Sequence, residues 1–293
     1  MGEVIFPNIG IYINKIDRVA FRIFGFEIYK YGLVICVGAL LGVALCLYEA
    51  KRSKQNADIY SDFAFIALLS GIVGARLYYL VFYEGSILDF FKFREGGLAI
   101  YGGVLAGFIA GLIFARVKKI NFLTFADTVM PSIYVGQIFG RWGNFFNREA
   151  FGSYTNGLLA MGYDVNTVAG AKVVGNTVVY NSAVYPLVTY SGTNYIMVHP
   201  TFLYESLWNL LSLVVVLFYR AHDFKHFKKQ KGDVMALYFI LYGFGRFFTE
   251  SLRTDQLKFL GLPVSMLLSL LLFVAGVIFM IVIRIRNSRK KEV

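Results

Sequence analysis

Three stretches of this chain, 31–48, 96–115 and 262–283, carry no charged residue at all. A helix rises about 1.5 Å per residue and a bilayer's hydrocarbon core is about 30 Å thick, so about 20 apolar residues suffice to cross it. Four further stretches, 62–83, 122–141, 201–219 and 234–253, are apolar with isolated polar residues. A segment in lipid must satisfy its backbone internally, so all seven are expected to be helices. Apolar residues make up 57% of the 293 positions and charged residues 16%, against roughly 25% charged in soluble domains. A soluble fold of this size would expose far too much apolar surface. The net charge of +11 does not point to nucleic acid, because the basic residues stand in short clusters between the apolar runs, which is a topology signal.

Those clusters alternate. Lys51, Arg52 and Lys54 follow the first run, and Arg116, Lys118 and Lys119 the third. Arg220, Lys225, Lys228, Lys229 and Lys231 follow the fifth, and Arg284, Arg286, Arg289, Lys290 and Lys291 the seventh. Positive loops stay in the cytoplasm, so the N-terminus is expected outside and the C-terminus inside. No cleavable signal peptide is expected, since no small-residue cleavage site follows the run that begins near Tyr29. Residues 153–198 differ from the other connections: they hold one basic residue, Lys172, and one acidic residue, Asp164. Within them Val173–Tyr180 reads as a hairpin with a two-residue turn. The expected fold is an all-α polytopic membrane protein, one integral membrane domain over 1–293. It has seven transmembrane helices and a small β-containing extracytoplasmic head at 153–198, between spans four and five. Cys36 and Cys46, ten residues apart, would be about 15 Å apart on one helix, too far for a disulfide, and are read as packing residues.

Charged side chains within spans are costly and are functional candidates by default. Arg76, Arg141, Glu205, Arg246, Glu250 and Arg253 all gather toward the outer ends of their spans under this topology. Asp127, Lys30 and Asp233 fall elsewhere, and Asp127 reads as a structural residue. Tyr242, Arg246, Glu250 and Arg253 recur at i, i+4, i+8 and i+11, so they predict one helical stripe, which must face the bundle interior or a wet cavity. The segment Gly140–Gly152 adds Arg141, Asn144, Asn147, Arg148 and Glu149. Arginine's planar fork matches phosphate oxygens. His199-Pro200-Thr201 reads as a helix start with His199 as cap and Pro200 in the first helical position, aiming a positive helix end at headgroup depth. Together these predict a cavity for an anionic phospholipid headgroup. Gly71, Gly74, Gly102 and Gly103 read as helix-packing contacts, and His222 and His226 as solvated loop residues.

These residues carry a resemblance. Gly140, Arg141, Gly143, Asn144, Asn147, Glu149 and Gly152 fill every position of the pattern G-R-x-G-N-x-x-N-x-E-x-x-G. With Tyr31-Gly32-Leu33, Gly74-Ala75-Arg76, His199-Pro200-Thr201 through Tyr204-Glu205, and Tyr242-Gly243 with Arg246, Glu250 and Arg253, the chain resembles the prolipoprotein diacylglyceryl transferase family. The resemblance implies a bacterial plasma-membrane enzyme. Its donor would be phosphatidylglycerol, and its acceptor the lipobox cysteine thiol of prolipoprotein signal peptides. A thioether forms and glycerol phosphate leaves. It implies Arg141 and Arg246 on the phosphate, Asn144 and Tyr31 positioning it, Glu149 and Glu250 orienting the arginines, and Gly152 and Arg76 beside the lipid. His199 is a candidate proton acceptor. No metal or other cofactor is expected. The family usually has His-Gly-Gly where this chain has Tyr101-Gly102-Gly103. A phenol is a poor base toward a thiol. Either neighbouring arginines make Tyr101 a phenolate, or it only donates an orienting hydrogen bond and His199 or water takes the proton; the second is favoured. A transporter would also place charges in the membrane, but it would show repeats and broken helices at midplane, which this sequence lacks. A transferase using another lipid-linked donor is the nearer rival.

Overall fold

The computed structural model describes residues 2–82, 88, 90–92, 97–222, 229–259 and 261–289. The basic residues Lys225, Lys228, Lys290 and Lys291, and His226, lie outside the described residues. So does position 96, the start of the third apolar run. Seven long helices occur among the described residues: α1 (Lys30–Arg52), α2 (Ala57–Phe82), α3 (Ile100–Val117), α4 (Phe122–Asn147), α5 (Thr201–Ala221), α6 (Asp233–Ser251) and α7 (Val264–Arg289). Five of them, α1, α2, α3, α5 and α7, are long and apolar enough to cross a membrane. Their outward residues are of the kind lipid covers: Leu40, Val81 and Leu271 are each well over half exposed. The apolar runs and the helices coincide because helix is the conformation that leaves no backbone group unsatisfied in lipid.

The chain divides into two compact units, residues 43–132 and residues 1–42 with 133–293, and the division falls within α1 and α4. In the smaller unit α2 and α3 lie with backbones almost touching. A Cβ on Gly74 would stand 2.6 Å from the Gly102 carbonyl oxygen, and one on Gly102 would stand 2.3 Å from that of Gly74. The glycines of Tyr101-Gly102-Gly103 are therefore packing residues, as expected from small residues at helix contacts. Gly102→Val should destabilise the protein by about 1–3 kcal/mol through overpacking. Thermal unfolding in detergent would show it, and an unchanged transition would mean that the helices can separate at no cost.

The larger unit holds α5, α6 and α7, with Trp208, Gly245 and Gly243 at their contacts. The indole of Trp208 occupies the space a Cβ on Gly245 would need, and its Nε1 donates to the Leu241 carbonyl at 2.8 Å. Asp233, buried at the start of α6, accepts from the Tyr219 hydroxyl at 2.5 Å and pairs with Arg284 at 3.3 Å, tying the three helices together.

The same unit carries an antiparallel sheet of seven strands. They are β1 (Gly2–Phe6), β2 (Ile11–Ile16), β5 (Met161–Asp164), β6 (Lys172–Val174), β7 (Thr177–Tyr180), β8 (Ala183–Tyr190) and β9 (Thr193–Val198), in the order β2-β1-β5-β9-β8-β7-β6. Two short hairpins stand apart: β3 (Val19–Ile23) with β4 (Phe26–Tyr29), and β10 (Lys258–Phe259) with β11 (Leu262–Pro263). The expected hairpin is present, with Val174 paired to Thr177 around Gly175-Asn176. The fold is not all-α with a small appendage, however. The N-terminal strands join the sheet through β1 and β5, so the head extends beyond 153–198. Its core, including Val4, Phe6, Tyr163, Tyr185, Ile196 and Val198, also takes in Phe145 near the end of α4 and Phe202 at the start of α5. The sheet thereby fixes the two helix ends that bear the site.

Three finer expectations are corrected. Helix α5 begins at Thr201, with Pro200 in the cap position and no side-chain cap bond. His199 is thus not a cap, because the proline ring already fixes the turn one residue later than the sequence suggests. Helix α6 ends at Ser251, so Arg253 is off the helix and the predicted stripe stops at Glu250. Cys46 is buried, but Cys36 is exposed and so is not a core residue; the two form no disulfide.

Candidate functional site

Helices α4, α5 and α6 each deliver one side chain to a common point. Arg141 from α4 sets Nε 3.0 Å from Glu205 Oε2 of α5. Arg246 from α6 sets Nη1 2.9 Å from both oxygens of the same carboxylate. One turn on, Glu250 closes on Arg246 Nη2 in a tight pair and lies 3.9 Å from Arg253 Nε. Arg253, just beyond the helix, is held in a two-bond fork by Asp255 at 2.9 and 2.8 Å. Three guanidinium groups and three carboxylates thus form one chain, and its formal charges cancel. Glu205 and Glu250 are both buried. Buried charges persist only when so paired.

The cluster is not evenly accessible. The side chain of Arg141 is 21% exposed, against 11% for Arg246 and 13% for Arg253. Apart from its bond to Glu205, Arg141 makes only a 3.5 Å approach among the described residues, through Nη1 to Asn144 Oδ1. Its outer fork is therefore the part of the cluster best placed to receive a new anion, with Arg246 behind it. Glu205 spaces the two cations and keeps both charged.

The signature segment explains itself from the backbone outward. Gly143 lies under the Tyr31 ring, since a Cβ there would stand 2.7 Å from Tyr31 Cδ2. Beyond the end of α4, Arg148 and Ala150 both adopt positive φ, 56° and 58°. For non-glycine residues this costs on the order of 1–2 kcal/mol each. Such strain is a mark of functional turns. Between them, Glu149 turns back so that its Oε1 accepts from Asn144 Nδ2 at 3.2 Å and Asn147 Nδ2 at 3.1 Å. Gly152 pairs with Arg253 in an isolated antiparallel bridge, and its N–H donates to the His199 carbonyl at 3.0 Å. A side chain there would meet His199 Cβ at 2.7 Å and the Leu252 carbonyl at 3.0 Å. Gly152 is the point where the three site-bearing segments touch. Nothing lies within 4 Å of a Cβ on Gly140, and the packing does not explain that glycine.

Of the residues expected to form the site, the structure brings together Arg141, Arg246, Glu250 and Asn144. Glu149 reaches Arg141 only through Asn144. Gly152 and His199 share the adjoining loop, where the His199 ring nitrogen Nδ1 lies 3.4 Å from the Tyr204 hydroxyl. Partial burial lowers the imidazole pKa below its ordinary 6.5, so the ring is neutral at pH 7 and able to accept a proton. Tyr101 and Arg76 belong to the smaller unit. There the Arg76 guanidinium donates to the carbonyls of Phe90, Lys92 and Gly97 at 2.9–3.2 Å, pinning the segment that leads into α3. The sequence reading passed over Glu205 as a partner for both arginines. Its depth in α5 was visible, but a contact between three helices leaves no periodic signal. Among the described residues no group of His, Cys, Asp and Glu is arranged to hold a metal ion.

A model of the prolipoprotein diacylglyceryl transferase family matches residues 18–282 of the chain. The phosphatidylglycerol--prolipoprotein diacylglyceryl transferase of Clostridioides difficile is 38% identical over 276 residues, covering 93% of this chain and 97% of the relative. The proteins of the same name from Enterococcus faecalis and Streptococcus suis are 39% and 40% identical, with 94–95% of this chain and 94% of each relative covered.

Proposed function

From the premise that the chain belongs to the prolipoprotein diacylglyceryl transferase family, we propose that Arg141 and Arg246, spaced by Glu205, hold the phosphate of the lipid donor. The chain is a multi-pass membrane protein with phosphatidylglycerol–prolipoprotein diacylglyceryl transferase activity, the first step of lipoprotein maturation. That activity implies phosphatidylglycerol and prolipoproteins as substrates. The single observation that carries the site assignment is the shared carboxylate of Glu205. It keeps two guanidinium groups charged and adjacent in a poorly hydrated place, which is where a phosphate-bearing leaving group needs them.

The proposed step is a displacement. The lipobox cysteine sulfur attacks the glycerol carbon that bears the phosphate, an S–C bond forms, and the C–O bond breaks. The electron pair stays on the phosphate oxygen, and glycerol phosphate leaves. The fork of Arg141 meets the oxygens on which charge grows, with Asn144 and Tyr31 fixing the headgroup beside it. Glu250 orients Arg246, while Glu149 sets Asn144. The thiol proton goes to His199 or to water. Activity should therefore fall on the acid side as the imidazole becomes charged, at a pH below 6.5, and a His199→Gln enzyme should lack that limb. A limb of unchanged position in His199→Gln would remove the imidazole from the step.

The Arg141 assignment has a direct test. Arg141→Lys keeps the charge and loses the fork, and turnover should fall by about tenfold or more, equivalent to roughly 1.4 kcal/mol. Wild-type turnover in both Arg141→Lys and Arg246→Lys would sink the assignment. Tyr101, the phenol at the first turn of α3, is proposed to donate an orienting hydrogen bond. Tyr101→Phe should lose roughly tenfold, as one hydrogen bond predicts, with the pH profile unchanged in shape. Recovery of a dead Tyr101→Phe enzyme at pH 9 would instead make the phenol the base.

Orientation follows the basic clusters: N-terminus and sheet outside the cytoplasm, C-terminus inside, all seven helices spanning one integral membrane domain. Single cysteines at 52–56, in a background lacking Cys36 and Cys46, should resist impermeant thiol reagents in intact cells, while those at 160–190 should react. The opposite pattern would invert the topology.

A further inference from the structure

Behind the signature turn lies a cavity of about 410 Å³ whose lining includes Arg18, Tyr31, Asn147, Arg148, Glu149 and Tyr180. That volume falls within the roughly 300–1,000 Å³ typical of small-molecule sites. Of the lining side chains only that of Ala169 lacks a polar group, so the cavity offers hydrogen-bonding partners to a polar occupant. Two cations meet there. Arg148 is buried, with Nη2 on the Ile16 carbonyl at 2.6 Å and Nη1 on that of Thr167 at 3.5 Å. Arg18 sends Nη2 to the Asn147 and Thr167 carbonyls at 2.9 and 3.2 Å. Both therefore share the Thr167 carbonyl. The Nε of each is buried and has no hydrogen-bond partner. Neither guanidinium forms an ion pair among the described residues, in contrast to Arg141, Arg246 and Arg253. Burial and the neighbouring Arg18 charge both disfavour the charged state of Arg148. A buried cation beside a half-buried one, each with an unused Nε donor, favours an anion that joins them.

We propose that this cavity is a second anion subsite, which takes the glycerophosphate group, chiefly as the glycerol phosphate released by the transfer. The inference rests on the transferase reading above. In that reaction a thiolate and a phosphodiester, one negative charge each, become a neutral thioether and a phosphate monoester. At neutral pH the monoester carries roughly −1.5 to −2 charges. With two cations and one carboxylate, the Arg141–Glu205–Arg246 group carries one net positive charge and suits the monoanionic diester. The Arg18–Arg148 pair has no direct ion pair among the described residues, although the Asp164 and Asp17 charges act on Arg148, and its unused Nε donors suit the product. Glu149, on the cavity wall with its carboxylate held by Asn144 and Asn147, would repel a bare anion. It can accept from the glycerol hydroxyls, as the Tyr31 and Tyr180 phenols also can. Glycerol phosphate should therefore bind better than inorganic phosphate. The turn at Arg148–Ala150 joins the subsite to the catalytic cluster, since Glu149 lines the cavity and holds Asn144.

The test titrates the detergent-solubilised full chain with glycerol phosphate and with inorganic phosphate, by calorimetry and by ligand-induced thermal stabilisation. Arg18→Gln removes one cation. Ala169→Asp puts a carboxylate on the exposed rim without deleting any contact, so it stays informative if Arg18→Gln loosens the turn; unliganded melting checks both. Each variant should weaken glycerol phosphate binding about tenfold, and wild type should prefer glycerol phosphate to phosphate severalfold. Weaker product inhibition with an unchanged KM for phosphatidylglycerol identifies the occupant as the released product. A KM raised in parallel identifies it as the headgroup of the intact lipid. Wild-type affinity in both variants, with binding lost in Arg141→Lys, would mean a single anion site and overturn the proposal, as would a wild-type chain that binds neither anion. Variant-sensitive binding in a preparation that transfers nothing would support the subsite and count against the transferase reading alone.

Discussion

Glu205→Leu should cost the protein about 3–5 kcal/mol of stability and nearly all of its activity, because it strands the largely buried Arg141 guanidinium and takes one of two carboxylate partners from Arg246. Glu205 is the only carboxylate within ion-pair reach of both Arg141 and Arg246 among the described residues. Arg246 retains Glu250 as a partner, but Arg141 is left with Asn144 at 3.5 Å. Glu205→Gln keeps the shape and an acceptor oxygen while removing the charge, so it should be milder in stability and still severe in turnover. Removing the stranded partner as well, as in Glu205→Leu with Arg141→Met, should restore part of the lost stability, since a buried pair replaced by apolar groups can be nearly neutral. Activity should not return. Additive losses in thermal unfolding across that cycle would show that the two side chains act independently.

Arg141→Gln should lower kcat/KM by about 10²–10³, the usual effect of removing one donor from a site where negative charge develops. The loss should fall mainly on kcat, because the phosphodiester bears less charge on the leaving oxygen in the ground state than in the transition state. The stability effect should be smaller than for Glu205→Leu, since Glu205 still has Arg246 at 2.9 Å. A raised KM with kcat intact would place Arg141 in simple lipid binding.

Much of this was open to reading from residue order because lipid narrows the choices. The uncharged runs 31–48 and 262–283 lie within α1 and α7 apart from the first two residues of the latter run, as backbone satisfaction demands. The Gly175-Asn176 turn was visible because few residue pairs make a tight hairpin. By contrast, nothing in residues 2–16 marks β1 and β2 as strands of the head. The partner of β1 is β5, more than 150 residues away in sequence, and short strands broken by Pro7 and Gly10 give no periodic signal of such pairing. The stripe Tyr242–Arg246–Glu250 was legible from helical spacing, but not the end of α6 at Ser251, which moves Arg253 off the stripe and onto Asp255. Local spacing shows which face a charge occupies. It cannot show that Glu205 serves two arginines on two other helices.

The central claim is that this chain makes a thioether by displacing glycerol phosphate. The most direct measurement incubates the purified protein with phosphatidylglycerol and a lipobox peptide and follows both products by mass spectrometry. The account predicts a peptide heavier by one diacylglyceryl group through a base-stable linkage on cysteine, with glycerol phosphate released in equal amount and both lost together in Arg141→Gln. An unmodified peptide, or a base-labile acyl adduct formed without glycerol phosphate, would contradict it.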